Sequence, residues 1–238
     1  LPQSFTRRTG RVGKNNVTTD FDAPVRAVYD VTPEAQEAFN KAGISAPSMV
    51  ELASGAKGAK AFHSAITESK QTNPLAASVY AYDPKAYAGM RLFMTPNGKA
   101  GFALKGDDIV SVFNSKDSGH THVSNAMLQL ALAQGGRRLD AFDTALPHIY
   151  SRNKFRVAAR MPWNEEYKPE GWNHSDFSAY KGGRPDVVFM HYDPTYDQLY
   201  DGAQGSVTDD YDNAVKMQSA GVKKAEANIA KLSKKTAK

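Results

Sequence analysis

Cysteine does not occur anywhere in the 238 residues. Disulfides, thiolate catalysis and Cys-ligated zinc are therefore excluded, and the composition fits a reducing, cytoplasmic compartment. Long apolar runs are missing too. Nothing approaches the roughly 20 consecutive apolar residues of a membrane-spanning helix. The opening "LPQSFTRRTGRVGKNN" is basic but lacks the apolar stretch of a secretory signal. It also lacks an initiator Met, which we read as trimming or as a cut from a longer precursor. No P-loop, nucleophile elbow or dinucleotide-binding glycine fingerprint is present, so the commonest nucleotide and hydrolase motifs do not apply.

Charge is present in plenty but unevenly placed. The formal net charge is +5. Arg7, Arg8, Arg11 and Lys14 crowd one end; Lys223, Lys224, Lys231, Lys234, Lys235 and Lys238 crowd the other, against the single acid Glu226. Basic ends on a near-neutral middle read as solvated tails or as contacts to an anionic surface or nucleic acid. The sequence accordingly divides into an extended basic arm over 1–30, a domain over 31–200 and a basic C-terminal helix over 201–238, of which 221–238 is expected to be dispensable for folding.

Within the domain, "VTPEAQEAFNKAG" reads as a helix with Thr32 as N-cap, Pro33 in the first turn and Gly43 as the stop. A second helix is expected over 48–70, with Met49, Leu52, Phe62 and Ile66 on its apolar face. The period then changes. "MRLFMTPNGKAGFALKGDDIVSVFN" reads as three strands in an antiparallel meander, turning at Asn97-Gly98 and Gly106-Asp107. "THVSNAMLQLALAQGG" is a helix stopped by Gly135-Gly136, "RRLDAF" a short strand, and "TALPHIYSRN" a short helix capped by Asp143 or Thr144. "RVAARM" alternates, with Arg156 and Arg160 on its polar face, whereas "DVVFMHY" is apolar throughout, as a strand covered on both faces would be. The order from Met90 is thus β-β-β-α-β-α-β-β. A long loop separates the last two strands, and its Trp163, Tyr167, Trp172, Phe177 and Tyr180 argue against disorder. In the C-terminal helix, Val215, Val222 and Ile229 recur every seven residues beside Gln218, Ala225 and Leu232. That is a weak coiled-coil pattern, and docking on the domain is the preferred reading.

This order of elements, together with the stretch "DTALPHIYSRNKF", resembles the GNAT-type N-acetyltransferases over residues 90–192. That family's helix motif is N-x-x-A-x-x-L-Y-x-x-x-G-F. Tyr150 falls on its tyrosine, Phe155 on its phenylalanine and Ile149 on its leucine; Asp143, Leu146 and Lys154 replace the asparagine, alanine and glycine. The resemblance implies a GNAT-like α+β fold, with a mixed, mostly antiparallel sheet flanked by helices. It implies acetyl transfer from acetyl-CoA to an amine acceptor, small or protein. A looser likeness to GNAT-related proteins of phages and mobile elements adds a virion as an alternative location, and a non-catalytic assembly module of a larger polyprotein as an alternative function.

The resemblance further places the cofactor on Val112, Phe113, Asn114, Ser115, Lys116, Ser118, Gly119, His120 and Thr121, with Asp143 nearby. The physical requirement is a run of free backbone N–H groups at a helix N-terminus, able to hold phosphate. "NSKDSGHTHVSN" supplies one glycine where the family has two, and Asp117 would repel a phosphate if it pointed inward. Tyr150 is the implied acid that protonates the departing thiolate; by itself, a tyrosine beside Ile149 on a short helix is more often a core residue. No base is assigned among Asp107, Asp108, Asp143, Glu165 and Glu166. The family's acceptor loop corresponds to Trp163, Glu165, Glu166, Tyr167 and Trp172, with Glu170 and Asp176 beside them; aromatics with acids suit a cationic amine, and equally a structural flap. A rival reading joins His120 and His122 with His148, His174 or His191 in a metal site of a hydrolase.

Overall fold

The computed structural model describes residues 1–8 and 17–236. Arg11, Lys14 and Lys238 of the two basic clusters lie outside the described residues. The chain forms two compact units, Leu1–Gly136 and Arg137–Lys238. Both are mixed α+β with mostly antiparallel strands, and no helix among the described residues is long and apolar enough to cross a membrane.

The first unit holds β1 (Phe5–Arg7), β2 (Val25–Val31), α1 (Pro33–Lys41), β3 (Met49–Leu52), α2 (Ala56–Thr72), α3 (Pro84–Tyr87), β4 (Arg91–Met94), β5 (Ala100–Lys105), β6 (Asp108–Asn114) and α4 (Ser124–Ala133). Among the described residues its six strands stand side by side in chain order, each antiparallel to the next. α1 begins as expected, with the Thr32 hydroxyl accepting from the Ala35 N–H at 3.2 Å.

Two expectations fail here for one reason. The stretch 1–30 contains β1 and most of β2, and the helix foreseen over 48–70 starts only at Ala56, because Met49–Leu52 is a fully buried strand. In both places a charge breaks the apolar pattern, and a distant partner neutralises it. Asp30 of β2 takes the Arg8 guanidinium at 2.7 Å and the Ser48 hydroxyl at 2.6 Å. Glu51 of β3 takes Arg91 at 2.7 Å. Beneath the sheet, α2 sends Phe62 and Ile66 into the core, where Phe62 meets Tyr87 and Phe113 edge-on at 4.8 and 5.6 Å. Burying a side chain of that size stabilises the unit by about 1.5–3 kcal/mol.

The second unit holds β7 (Arg138–Phe142), α5 (Leu146–Arg152), β8 (Phe155–Met161), β9 (Val187–Tyr192), β10 (Ser206–Val207) and α6 (Tyr211–Thr236), with single 3-10 turns at Glu165–Tyr167, His174–Phe177 and Lys181–Gly183. Strand order is β7-β9-β8-β10. β9 is antiparallel to both neighbours, while β10 runs parallel to β8. The central place of β9 explains its unbroken apolar run. From β4 to β9 the elements keep the order read from the sequence. α6 docks on its own unit through Ala214, Gln218, Val222 and Ala225, all buried, so the coiled-coil pattern serves the core as far as Ala225, while residues 230–235 are exposed. Gln218, out of place in a coiled coil, donates through Nε2 to the carbonyls of Leu139 and Met190, each at 2.9 Å.

Candidate functional site

The loop after β6 begins at a break in strand pairing. Between Gly101 and Ala103 the β5–β6 register shifts, so Ser111 and Val112 together face Phe102. Ser111 sits at φ 53°, held by Tyr87 Oη and the Tyr80 carbonyl, each 2.8 Å from its Oγ. Such a bulge bends the strand and re-aims the residues beyond it. Phe113 turns into the core and Asn114 out of it.

From Ser115 the chain braces itself. The N–H groups of Ser115 and Ser118 donate to the carbonyls of Lys99 and Ser115, at 2.8 and 3.1 Å. Those of His120 and Thr121 donate to the hydroxyls of Ser118 and Ser45, at 3.1 and 2.9 Å. Asn114 clamps the loop from both sides, taking Ser118 Oγ at 2.5 Å and giving Nδ2 to the His120 carbonyl at 3.1 Å. Asp117 is bound by the Lys99 ammonium, whose hydrogen bond holds its carboxyl below the usual carboxylate range. Burial keeps the His120 imidazole neutral by lowering its pKa. At Gly119, φ is 75° and a Cβ would meet nothing within 4 Å, so the backbone is bare on that side. The loop then enters α4, whose N-cap Val123 offers no side-chain hydrogen bond to the first turn.

In the second unit, α5 carries Tyr150. Its N-cap is Ala145, not Asp143; the Thr144 hydroxyl accepts only weakly from the Leu146 N–H, at 3.4 Å. Tyr150 is buried, and burial raises its pKa, so its proton is secure at neutral pH while its strength as an acid falls. The hydroxyl has no hydrogen-bond partner among the described residues.

Asp143 is drawn elsewhere by Arg160. That guanidinium is only 5 % exposed. It contacts Asp143 at 2.6 Å and Asp186 at 2.9 Å and donates to Tyr200 Oη at 2.5 Å. Lys181 completes the charge balance on Asp186 at 2.9 Å. Burial opposes the charge on Arg160, but its hydrogen bonds to Asp143 and Asp186 more than offset this, so the proton is held more tightly than usual. Burial, then Asp143, raises the Tyr200 hydroxyl. Two cations and two anions cancel here, and the cluster ties β7, β8 and the segment before β9 together. The reading of Arg156 and Arg160 as a polar strand face missed this; Asp143 and Asp186 at neighbouring strand ends were its one sequence signal.

The loop over 162–186 is closed by its own aromatics. Trp172 stacks on Phe177 at 3.7 Å, with Phe142 at 4.8 Å and Trp163 at 5.0 Å, and its Nε1 donates to the Gly183 carbonyl at 3.0 Å. Asn164 and Asn173 cap two of the single turns, accepting from Glu166 N and Ser175 N at 3.0 and 3.1 Å. Glu165 pairs with Arg184 at 2.7 Å and His174 at 3.4 Å. Burial disfavours its charge, yet Arg184 outweighs this and lowers its pKa; Trp163 Nε1–H also lowers it through its dipole, though the contact falls short of hydrogen-bond geometry. Glu165, Glu166 and Tyr167, the last 73 % exposed, are the members of the expected acceptor set that face solvent.

Asp107 and Asp108 lie at the β5–β6 turn and start of β6. Among the described residues no group of three or more His, Asp or Glu side chains is placed to hold a metal ion, so His120-x-His122 gains no third ligand. The chain matches no protein-family model, no curated protein and no solved structure.

Proposed function

We propose that the chain is an acyltransferase that takes an acetyl group from acetyl-CoA to an amine. The observation that carries this reading is the passage from β6 to α4: a bulged strand, a loop with bare backbone at Gly119, and a helix whose first turn has no side-chain cap. Backbone N–H groups and the helix dipole at such a place attract a phosphate, and Lys116 adds a positive charge. The element order of 90–192 supports the same reading. In the reaction the amine nitrogen attacks the thioester carbonyl carbon, the C–S bond breaks, and the thiolate leaves. The resemblance supplies the Tyr150 hydroxyl, whose proton is secure at neutral pH, as the acid for the departing thiolate; the proton lost by the amine nitrogen passes to solvent water, which restores that of the tyrosine.

Calorimetry of the unmutated protein with CoA tests the first half. Micromolar binding that Lys116→Gln weakens several-fold is expected; no binding removes the proposal. Acetyl transfer to a panel of amines tests the second. Tyr150→Phe is expected to lower turnover by about 10²–10⁴ while CoA affinity stays unchanged. Equal rates would take Tyr150 out of the mechanism.

A second reading, a non-catalytic interaction module, is favoured by one observation. The N–H groups of Ser115, Ser118, His120 and Thr121 are already spent on protein acceptors. A protein that neither binds CoA nor acetylates any amine would belong to that class.

A further inference from the structure

Under α6 the second unit has a half-open cavity of about 600 Å³, the size of many small-molecule sites. Its floor is the register break in β8, where Ala158 is the extra residue between Val157 and Ala159. Its roof is one helix face: Gly221, Lys224, Ala225 and Asn228, spaced i, i+3, i+4, i+7. Glycine and alanine on that face leave room that larger residues would fill.

The cavity wall contains a histidine with a spare nitrogen. His191 is 5 % exposed. Its Nδ1 lies 3.3 Å from the Tyr192 carbonyl, which requires the N–H on that nitrogen and leaves Nε2 as a lone-pair acceptor. Nε2 has no hydrogen-bond partner among the described residues. Only glycine at 221 lets the ring pack there: a Cβ would stand 2.5 Å from Cδ2 and Nε2, so Nε2 is open to the cavity only on the side away from α6's backbone. Burial, assisted by Arg156 and opposed by Asp193, keeps the ring neutral.

The charges around it are unequal. Asp193 is satisfied within the fold by Arg156 at 3.2 Å and by the N–H and hydroxyl of Thr195 at 3.1 and 2.7 Å. Arg156 is also stacked on Tyr196 at 4.0 Å. The side chains of Lys224 and Asn228 make no ion pair or hydrogen bond with a described residue. The balance is one unmet cation, an idle amide and a buried acceptor.

We propose that this cavity binds a small organic anion, a phosphomonoester or hydroxycarboxylate, with its acid group on Lys224 and Arg156 and a hydroxyl donating to His191 Nε2. A bare inorganic ion would satisfy Lys224 but leave the imidazole and most of the volume unused. The site is independent of the CoA reading, and probes without a nucleotide part keep the two distinguishable.

The test is titration of the full chain with glucose 6-phosphate and with citrate, monitored by calorimetry and by the ¹⁵N resonances of the His191 ring. Binding of at least one probe, with a shift of Nε2 and not of Nδ1 alone, is expected. Lys224→Gln, a surface change that leaves folding intact, should weaken that binding about 3- to 10-fold, and Gly221→Ala should abolish the Nε2 shift. The proposal is overturned if neither probe moves the His191 ring, or if Lys224→Gln binds as tightly as the unmutated chain.

Discussion

The arginine–carboxylate centre around Arg160 in the second unit and the one around Glu51 in the first are built in opposite senses. In the second unit the cation is buried: Arg160, 5 % exposed, is gripped by Asp143 and Asp186. In the first the anion is buried: Glu51, 2 % exposed, faces Arg91, whose side chain is 37 % exposed and also donates to the carbonyl and amide oxygens of Gln134. A buried charge is costly to leave alone, whereas a half-exposed one can turn to water. The two centres should therefore fail differently when one member is removed.

The largest effect is expected at Arg160. Arg160→Met would leave two acids facing each other with only Lys181 to compensate, and should cost about 3–5 kcal/mol in denaturant unfolding. Next comes deletion of 221–238, which would uncover His191 and remove Val222 and Ala225 from the core; a loss of about 2–3 kcal/mol is expected, and an unchanged melting temperature would show that α6 contributes only its first half. Glu51→Gln should cost no more than about 1.5 kcal/mol, since the amide still accepts from Arg91 and the guanidinium keeps its water. A larger loss for Glu51→Gln than for Arg160→Met would reverse the comparison.

The smallest effect is a pH dependence. Burial lowers the pKa of His191 and of His120, so the unfolded chain takes up protons first as pH falls. Stability from these two groups is therefore full above about 6.5, the ordinary histidine value, and declines as pH drops below it. His191→Gln should flatten the decline by its share. Asp30, held low chiefly by its hydrogen bond from Arg8, acts in a more acidic window: its contribution stands above about 4 and is lost below that. Unfolding curves at pH 7, 5.5 and 3.5 separate the two windows.

What could be read in advance was local. The meander's turns at Asn97-Gly98 and Gly106-Asp107, the cap at Thr32 and the apolar run of β9 each involve neighbours a few residues apart. Asp143 was also visible, but as a helix cap. It lies 17 residues from Arg160, and no rule of spacing says which of two local roles loses to a distant guanidinium. The aromatics of 162–186 were legible as ordered; whether they would offer their faces to a ligand or to each other was not, since a Trp172–Phe177 stack and an open aromatic groove have the same composition.

The sequence by itself determined the succession of strands and helices from β4 to β9, because turn chemistry and the period of apolar residues act over one or two turns of chain. Tertiary structure alone decided that Glu51 and Asp30 could sit in strands, that the Tyr150 hydroxyl would find no partner among the described residues, and that Gly221 would come to rest against His191, 30 positions earlier in the chain. Those outcomes depend on how buried charge and empty volume are settled between distant segments. That free energy belongs to pairs of residues and cannot be assigned to either one before the chain has brought them together.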